Sequence, residues 1–457
     1  MKHHGPTFVS SSSPRTRLSR RLLCGVLGLS AVLGSGRAAH AQDVSALEGI
    51  LSEPIVSSAS KHSEGASSAP ALSTSLTAED LRKFGVRTLG EAIDFLGIAV
   101  STSEDLSGGE VGARGVLLTG DRGNHFLVLV DGHVVNDPLR GGFSLGVRAG
   151  IPLELIDHVE IIVGPGSVLY GSNAMFGLVN VVTKRAKDYS GVRVVAEGGL
   201  PANVRAGAGV GKTFTLFGEN GELTAHLEYY EQTGPDLFFS AQNTGVDRFT
   251  GQPGRNSRDG RPTGIWGGAR AERSLYTRGP SGLLRIALGN TELSLQGSHY
   301  RHGTPTGPGD FDDPDTGERD TRLSLGLRHR FAVSTLLDIT ARAYASYYET
   351  RSDFIASRGV LCPFGSVTCN YVNEGQAQWA GLELQSTWDW FNDEQLITIL
   401  GADARYHEVS TSSDTLDVET GSSLYPAAPG LEQSNPTLGA YAQQTWAPTP
   451  ALRFSGG

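Results

Sequence analysis

Apolar and polar residues alternate strictly along much of the chain beyond residue 190. One such stretch alternates Leu223, Ala225, Leu227 and Tyr229 with Thr224, His226, Glu228 and Tyr230. The same period of two recurs at 322–329, 337–346 and 382–389. Because successive side chains of a strand point to opposite faces, this pattern predicts amphipathic β-strands with one polar face. We count about eleven such segments.

The connections between these segments alternate between short and long. Short turns are predicted at 218–221, 289–290, 334–335, 392–394 and 448–450, and long polar segments at 233–273, 303–319, 351–375 and 411–434. This order is typical of a membrane β-barrel, whereas a soluble β-sandwich does not require it. Aromatic residues near segment ends suit an interfacial girdle: Tyr347, Tyr348, Trp388, Trp390 and Trp446.

The segment before residue 190 has a different texture. Ser75 to Ile98 has roughly helical apolar spacing, broken at Gly85, with Thr77 as a candidate cap. Phe126–Val130 predicts a buried strand that ends in an Asp131-Gly132 turn. Helices and buried strands together predict an α+β domain ahead of the barrel.

The stretch 156–184 consists of two strand-like runs joined by glycines and small residues. Gly166 and Gly171 lack the following lysine of a phosphate loop, which excludes that site. No third glycine opens a helix with an acidic residue about twenty positions on, which excludes a dinucleotide fingerprint.

The N-terminus has the order of a cleavable export signal. Four arginines (Arg15, Arg17, Arg20 and Arg21) precede an apolar run that ends before Ala39-His40-Ala41. Removing residues 1–41 takes away six basic and no acidic residues, so the formal charge goes from −10 to −16. An acidic exported chain is a poor nucleic-acid binder. No later run reaches eighteen apolar residues, which argues against a transmembrane helix.

The glycine-rich hairpin resembles the plug domain of TonB-dependent outer-membrane receptors. The matching positions are Gly164, Pro165, Tyr170, Gly171 and Asn180, preceded by two further motifs, Arg114-Gly115 and Asp131-Gly132. In this family plug arginines pair with barrel glutamates, and the resemblance implies this role for Arg114. His158 and Val163 stand where relatives often have arginine, so part of that ionic contact is expected to be absent.

The resemblance also implies an energy-coupling motif that pairs as an added strand with the periplasmic protein TonB. Its counterpart here is the run of Glu53, Pro54, Ile55, Val56, Ser57, Ser58, Ala59 and Ser60. On residues alone, a disordered Ser-rich linker is an equal alternative.

The implied fold is mainly β: an outer-membrane antiparallel β-barrel with an N-terminal α+β plug domain. We predict a signal peptide at 1–41, a flexible lead at 42–62, a plug at 63–188 and barrel strands at 189–457. The family barrel has twenty-two strands, so about half of it is expected here, and the sequence resembles a C-terminal truncation.

Two features of the predicted long loops are candidates for binding or bonding. Cys362 and Cys369 are expected to form a disulfide, because an even pair in an exported chain closes a short loop. The acidic run Asp310, Asp312, Asp313 and Asp315 could hold a loop calcium, although a solvated acidic loop is the commoner outcome. No cofactor is required.

The resemblance implies energised uptake of a scarce nutrient across the Gram-negative outer membrane. A ferric siderophore is the favoured metal chelate, with a corrinoid, haem or glycan as alternatives. The expected partners are TonB and outer-membrane lipid, and a monomer is expected. We find no nucleophile–base constellation and therefore predict no catalytic residues. A passive pore, an adhesin and a barrel-embedded enzyme are the rival classes.

Overall fold

The computed structural model describes most of the chain beyond residue 72. The described residues are 55–56, 64–65, 72–97, 99–101, 111–113, 116–117, 122–164, 170–171, 173–200, 202–234, 237–240, 242–243, 265–266, 268–305, 310–356, 362, 368–425, 429–449 and 452–457.

The N-terminal part is built on a five-stranded sheet with the order β3-β8-β9-β6-β7. Its strands are β3 (Leu72–Thr77), β6 (Phe126–Val130), β7 (His133–Val134), β8 (Ile156–Val163) and β9 (Gly177–Thr183). β6 and β9 pair in parallel, and the other neighbours pair antiparallel. Two separate ladders join β1 (Ile55–Val56) to β2 (Glu64–Gly65) and β4 (Ala99–Ser101) to β5 (Val111–Ala113).

Two helices, α1 (Ala78–Lys83) and α2 (Leu89–Leu96), follow β3. Thr77 caps α1 in a capping box with Asp80, which confirms the predicted cap. The prediction that the helical stretch begins at Ser75 is wrong, because residues up to Thr77 extend along β8 and Leu76 pairs with Val159. Edge pairing over a buried position outweighs local helical spacing there.

The core of this domain lies between the sheet and the two helices. Its buried members include Ile93 of α2, Phe126 of β6, Val159 and Ile161 of β8, and Val179 of β9. β6 and β9 are almost uniformly apolar because both of their faces are covered.

The C-terminal part is an eleven-stranded antiparallel sheet, which we call the wall. Within the described residues, each wall strand is hydrogen-bonded to the next one along the chain. The strands are β10 (Gly191–Gly199), β11 (Asn203–Leu216), β12 (Glu219–Gln232), β17 (Thr277–Leu288), β18 (Thr291–Gly303), β19 (Gly317–Ala332), β20 (Leu337–Ala356), β21 (Cys369–Asp389), β22 (Leu396–Asp417), β23 (Glu432–Thr449) and β24 (Leu452–Gly456). The predicted count of about eleven strands is confirmed.

Four short strands lie inside the connection between β12 and β17. β13 (Leu237–Phe239) pairs with β16 (Ala269–Ala271), and β14 (Gln242–Asn243) pairs with β15 (Ile265–Trp266).

The two faces of the wall have the reverse of a soluble protein's polarity. On β12, Leu227 is 66% exposed, whereas the alternate positions Thr224, His226 and Glu228 are buried. Polar side chains therefore face inward and apolar ones outward, as in a barrel wall that borders lipid. No helix in the described parts of the chain is long and apolar enough to span a bilayer.

The long connections are shorter than their polar composition suggested. β20, β21 and β22 run well into the predicted loops at 351–375 and 411–434, which leaves connections at 357–368 and 418–431. Backbone pairing continues beyond the region where apolar side chains alternate, so the loss of alternation does not mark the end of a strand.

Candidate functional site: the contact between plug and wall

Polar side chains join the N-terminal domain to the inner face of the wall at two levels. One level lies toward the short turns and centres on the Asp131-Gly132 turn. We call it the short-turn cluster. The other lies toward the long connections and centres on Arg148 and Arg322. We call it the long-loop cluster.

The Asp131-Gly132 turn links β6 to β7 with positive φ at both residues, +50° and +78°. Asp-Gly suits this hairpin turn because both residues tolerate the left-handed region. The Asp131 carboxylate accepts hydrogen bonds from the backbone N–H (2.9 Å) and the hydroxyl (2.8 Å) of Thr183. The turn thus fastens the ends of the parallel strands β6 and β9 to each other.

Arg285 of β17 brings the wall to the same point. Its guanidinium pairs with the Asp131 carboxylate and donates to the carbonyl of Lys184 at 3.2 Å. Arg285 is only 2% exposed. Removing one partner of a buried pair is strongly destabilising, because the other charge stays desolvated.

Gly132 extends the contact through its backbone. Its carbonyl accepts a 3.0 Å hydrogen bond from Arg342 of β20, and its N–H donates to Asn180 Oδ1 at 3.1 Å. Asn180 in turn donates to buried Glu160 at 3.0 Å. The predicted motif residue Asn180 therefore connects the turn to β8.

His133 contacts the wall next to this turn. Its Nε2 lies 3.3 Å from the Ser346 hydroxyl, and its ring meets Tyr344 edge-on at 4.9 Å. Burial, together with the charge of Arg342, lowers the pKa of His133 to about 4. The neutral imidazole is therefore the form that the folded contact favours.

Arg185, just beyond β9, completes the short-turn cluster. It pairs with Glu292 of β18, which also accepts from Arg328 of β19 at 3.1 Å. The domain exit is thus held to two wall strands.

The long-loop cluster is built on Arg148, which lies in a short 3-10 turn (Val147–Ala149). Arg148 pairs with Asp320 at 2.7 Å and lies 3.4 Å from Glu318, both on β19. Asp320 also accepts from the Tyr348 hydroxyl at 2.9 Å. The carboxylate is buried and bonded from both the domain and the wall.

Arg322 of β19 enters the same cluster from the wall. Its guanidinium lies 5.0 Å from the centroid of the Phe143 ring and 4.0 Å from that of Tyr348. It also pairs with Asp137 at 3.5 Å. Cation–π contact with two rings suits a planar, weakly hydrated guanidinium.

The predicted motif residues fall partly at this contact. Tyr170 is buried against Ile162 and Leu178, and Gly171 has a φ of +75°. The Gly164 N–H donates to the Phe176 carbonyl at 3.0 Å. Arg114, Gly115 and Pro165 lie outside the described residues.

The two departures from the family pattern take no part in either cluster. His158 lies 2.7 Å from Asp157 and 3.4 Å from Glu160, within its own domain, and Val163 is buried. Burial alone lowers the pKa of His158, but hydrogen bonds to Glu160 and Asp157 outweigh it and raise the pKa. Arg148 and Arg185 pair with wall carboxylates instead.

The predicted coupling motif is described only at Ile55 and Val56. These form β1 and pair antiparallel with Glu64 and Gly65. Glu53, Pro54, Ser57, Ser58, Ala59 and Ser60 lie outside the described residues.

The predicted disulfide is present at the base of the β20–β21 connection. Cys362 and Cys369 are bonded, with their Cα atoms 5.5 Å apart, and both are fully buried beside Ala356.

In the acidic run, the carboxylates of Asp312 and Asp313 accept hydrogen bonds from other groups of the protein. Asp312 Oδ1 accepts from the backbone N–H groups of Arg273 (2.9 Å) and Ser274 (2.8 Å) and from the Ser274 hydroxyl (2.9 Å). Asp313 accepts from the N–H of Asp315 at 2.9 Å, and the N–H of Asp310 donates to the Ile355 carbonyl.

Asp312 therefore joins the β12–β17 connection to the β18–β19 connection. No group of three or more metal-binding side chains occurs in the described ranges. Loop calcium stays a prediction.

Most of the wall side of this site was missed from the sequence. Arg322 and Arg342 appeared only as polar members of alternating strands, and Arg285 was not singled out. A usable signal exists, because an arginine on the inward face of a membrane strand needs a partner. Which partner it meets depends on the register between domain and wall.

Comparison with known proteins places these features in a family. Residues 66–178 match the family model described as the TonB-dependent Receptor Plug Domain. The chain is 29% identical over 199 residues to the vitamin B12 transporter BtuB of Vibrio vulnificus, covering 43% of this chain and 30% of that protein. It is 30% identical over 162 residues to the ferric enterobactin receptor PirA of Pseudomonas aeruginosa, covering 34% and 21%.

A solved structure shares the architecture. The pyoverdine outer membrane receptor FpvA of Pseudomonas aeruginosa matches with a TM-score of 0.59 and 12% identity, over 87% of this chain and 57% of that one. The chain spans less than a third of the length of the curated relatives it matches. Residues 66–178 are therefore similar to the plug domain of TonB-dependent receptors, and a plug followed by antiparallel wall strands is the fold that this chain shares with a solved outer-membrane receptor.

Proposed function

We propose that this chain serves energised uptake of a scarce nutrient across the Gram-negative outer membrane. The observation that carries the proposal is a folded plug fastened to the inner face of the wall by buried ion pairs at two levels. A plug held this way blocks passage until its contacts are remodelled. We propose no catalytic role, and the relatives are named as transporters and receptors.

The proposed partner is TonB, which captures the lead around residues 54–60. Ile55 and Val56 adopt strand geometry and pair with a neighbouring segment. Strand addition to TonB would exchange this pairing for an intermolecular one. Pulling on the lead then acts on β3, the first strand of the plug sheet along the chain.

The proposed cargo is a ferric siderophore, with a corrinoid as the second candidate. The two relatives support both classes, since one is named a ferric enterobactin receptor and the other a vitamin B12 transporter. Identity near 30% does not separate them.

Deleting residues 54–60 tests the coupling. The full chain and the deletion variant are compared in outer membranes for binding and uptake of radiolabelled ferric enterobactin and vitamin B12. We expect wild-type uptake of one probe, and its loss at unchanged binding in the variant. Deleting the equally long segment 42–48, which precedes the motif, is the matched control and should leave uptake intact.

Uptake that persists without residues 54–60 would favour a passive pore and sink the proposal. Binding without uptake in the wild type as well would favour an adhesin-like role.

A further inference from the structure

A cavity of about 310 Å³ lies between the plug and the wall at the level of the long-loop cluster. Its plug side includes the start of α2 and the turn at 145–148, and its wall side includes Arg205, Tyr230 and Gln232. A single water needs only about 10–15 Å³ of such space, so this cavity has room for many waters or a small organic acid.

Arg205 of β11 stands out among the charged groups that line the cavity. Its residue is only 7% exposed, and its guanidinium lies 5.5 Å from the centroid of the Tyr230 ring. Its Nε has no hydrogen-bond partner among the described residues. Buried arginines are normally paired, and a buried donor without a partner indicates an absent water or ligand.

The carboxylate nearest to Arg205 is a weak partner. Glu197 Oε2 lies 3.5 Å from Arg205 Nη1, and the Glu197 side chain is 54% exposed. Charge-assisted hydrogen bonds are usually 2.7–2.9 Å long. Glu197 therefore leaves most of the buried guanidinium's capacity unused.

The two other cations that line the cavity have short bonds elsewhere. Arg87 pairs with Glu91 at 2.7 Å, and Arg148 pairs with Asp320 at 2.7 Å.

The remaining carboxylate of the cavity is also engaged. Asp94 accepts from the N–H (2.6 Å) and the hydroxyl (3.0 Å) of Ser101. Among the described lining residues, Arg205 is thus the cation with no ion pair shorter than 3.5 Å.

We infer that this cavity binds a carboxylate group of a small organic ligand, with Arg205 as its anchoring cation. A guanidinium presents a planar fork of donors that matches a carboxylate, and the Tyr230 ring holds that fork in place. The inference rests on the proposed function, because it names the cargo class as a carboxylate-bearing molecule that meets the plug from the long-loop side.

Calorimetric titration of the full chain in detergent with citrate, and separately with inorganic phosphate, tests the site. We expect citrate to bind the wild type and Arg205→Gln to weaken binding at least about tenfold, the loss of one charge-assisted contact. Arg205→Lys, which keeps the charge, should lose less. Arg193→Gln is the matched control, since Arg193 lies over Tyr189 at 4.7 Å but outside the cavity, and should bind as the wild type does.

A second measurement uses only the wild type, so its result does not depend on whether the Arg205→Gln variant folds. Citrate should protect Arg205 from phenylglyoxal, read by peptide mass, while leaving Arg193 reactive. The inference is overturned if citrate gives no heat beyond dilution, if Arg205→Gln binds as tightly as the wild type, or if citrate leaves Arg205 unprotected. Phosphate binding that depends on Arg205, without citrate binding, would overturn the carboxylate class.

The proposed carboxylate site and the proposed transport function can be disproved independently of each other. Deleting residues 54–60 should leave citrate binding unchanged. Citrate binding together with uptake that survives the deletion would sink only the proposed function.

Discussion

Asp131 joins three parts of the molecule that are distant in sequence. Its carboxylate holds Thr183 at the end of β9 and Arg285 on the wall, while its backbone forms the hairpin turn after β6. A dipeptide that the sequence marks as a turn and as a family motif therefore also carries an ion pair between plug and wall.

Replacing Asp131 with asparagine should destabilise the chain by about 3 kcal/mol, because Arg285 would be left buried without a counter-charge. Asparagine tolerates positive φ, so the turn itself should persist. Urea unfolding of the full chain in detergent measures the change.

Asp338→Asn is the control for this prediction. Asp338 pairs with Arg330 at the exposed short-turn edge, so it should cost about 1 kcal/mol or less. Equal losses in both variants would contradict a special role for the buried pair.

His133 gives the plug contact a pH dependence. Its folded pKa of about 4 lies below the ordinary value of 6.5, so its contribution is complete above pH 6.5 and is lost as pH falls toward 4. His133 should account for about 2 kcal/mol of the unfolding free energy that is lost when the pH falls from 7 to 5, so His133→Gln should reduce the loss by about that amount.

His158 should contribute a pH dependence of the unfolding free energy that is opposite in sign to that of His133. Its pKa is raised, so its contribution is complete below pH 6.5 and is lost as pH rises through the folded pKa. His158→Gln should leave the acid-side loss intact. An identical pH profile for wild type and His133→Gln would refute the assignment.

The connections at the long-loop end behave as folded elements. Asp312, fully buried with a φ of +56°, ties the β12–β17 connection to the β18–β19 connection. Phe311 packs against Phe239 in the same place, with ring centroids 5.7 Å apart.

Asp312→Ala should therefore loosen the β12–β17 connection, because it deletes three accepted hydrogen bonds. We expect trypsin cleavage after Arg270 or Arg273 to speed up about tenfold or more. Asp312→Asn, which keeps an acceptor oxygen, should be milder, and Asp315→Asn should have little effect. Cleavage that responds to calcium instead of to these substitutions would revive the metal prediction.

At the level of elements, the sequence predicted the strands of the wall well, but it did not predict where individual strands begin and end. Alternation such as Leu223–Tyr230 and the turn at Gly289–Asn290 reflect local geometry, so they can be read from residues alone. The extension of β20 to Ala356 depends on pairing with β21, and the strand at Ser75 depends on β8. Both are long-range contacts that no local pattern encodes.

Across the whole molecule, the plug is the part that must change if cargo is to pass. β3 is an edge strand of the plug sheet and is the first strand of that sheet after the proposed coupling motif. Leu72 pairs with Val163 at the start of that strand, so both positions can be replaced by cysteine to staple β3 to β8.

The oxidised Leu72→Cys, Val163→Cys variant should lose most uptake of the radiolabelled probe and recover it on reduction. A staple between Leu293 and Leu327 on neighbouring wall strands is the matched control, since the wall need not open. Undiminished uptake in the oxidised plug variant would mean that β3 does not detach during transport.

The side-chain contacts between plug and wall are the part of the site that could not be predicted from the sequence. Asp131, Tyr170 and Asn180 were found because family motifs mark them, and their contacts lie mainly within the plug. Arg148 and Asp320 are 172 positions apart and carry no motif, so only the packed structure brings them together.

The single guanidinium of Arg285 also bears on how the molecule is assembled. It covers the ends of β6 and β9, where Asp131 and the carbonyls of Thr183 and Lys184 converge. The carbonyls of Thr183 and Lys184 precede Arg285 by 102 and 101 residues in the chain. This end of the plug therefore acquires its buried counter-charge only when strand β17 of the wall is in place.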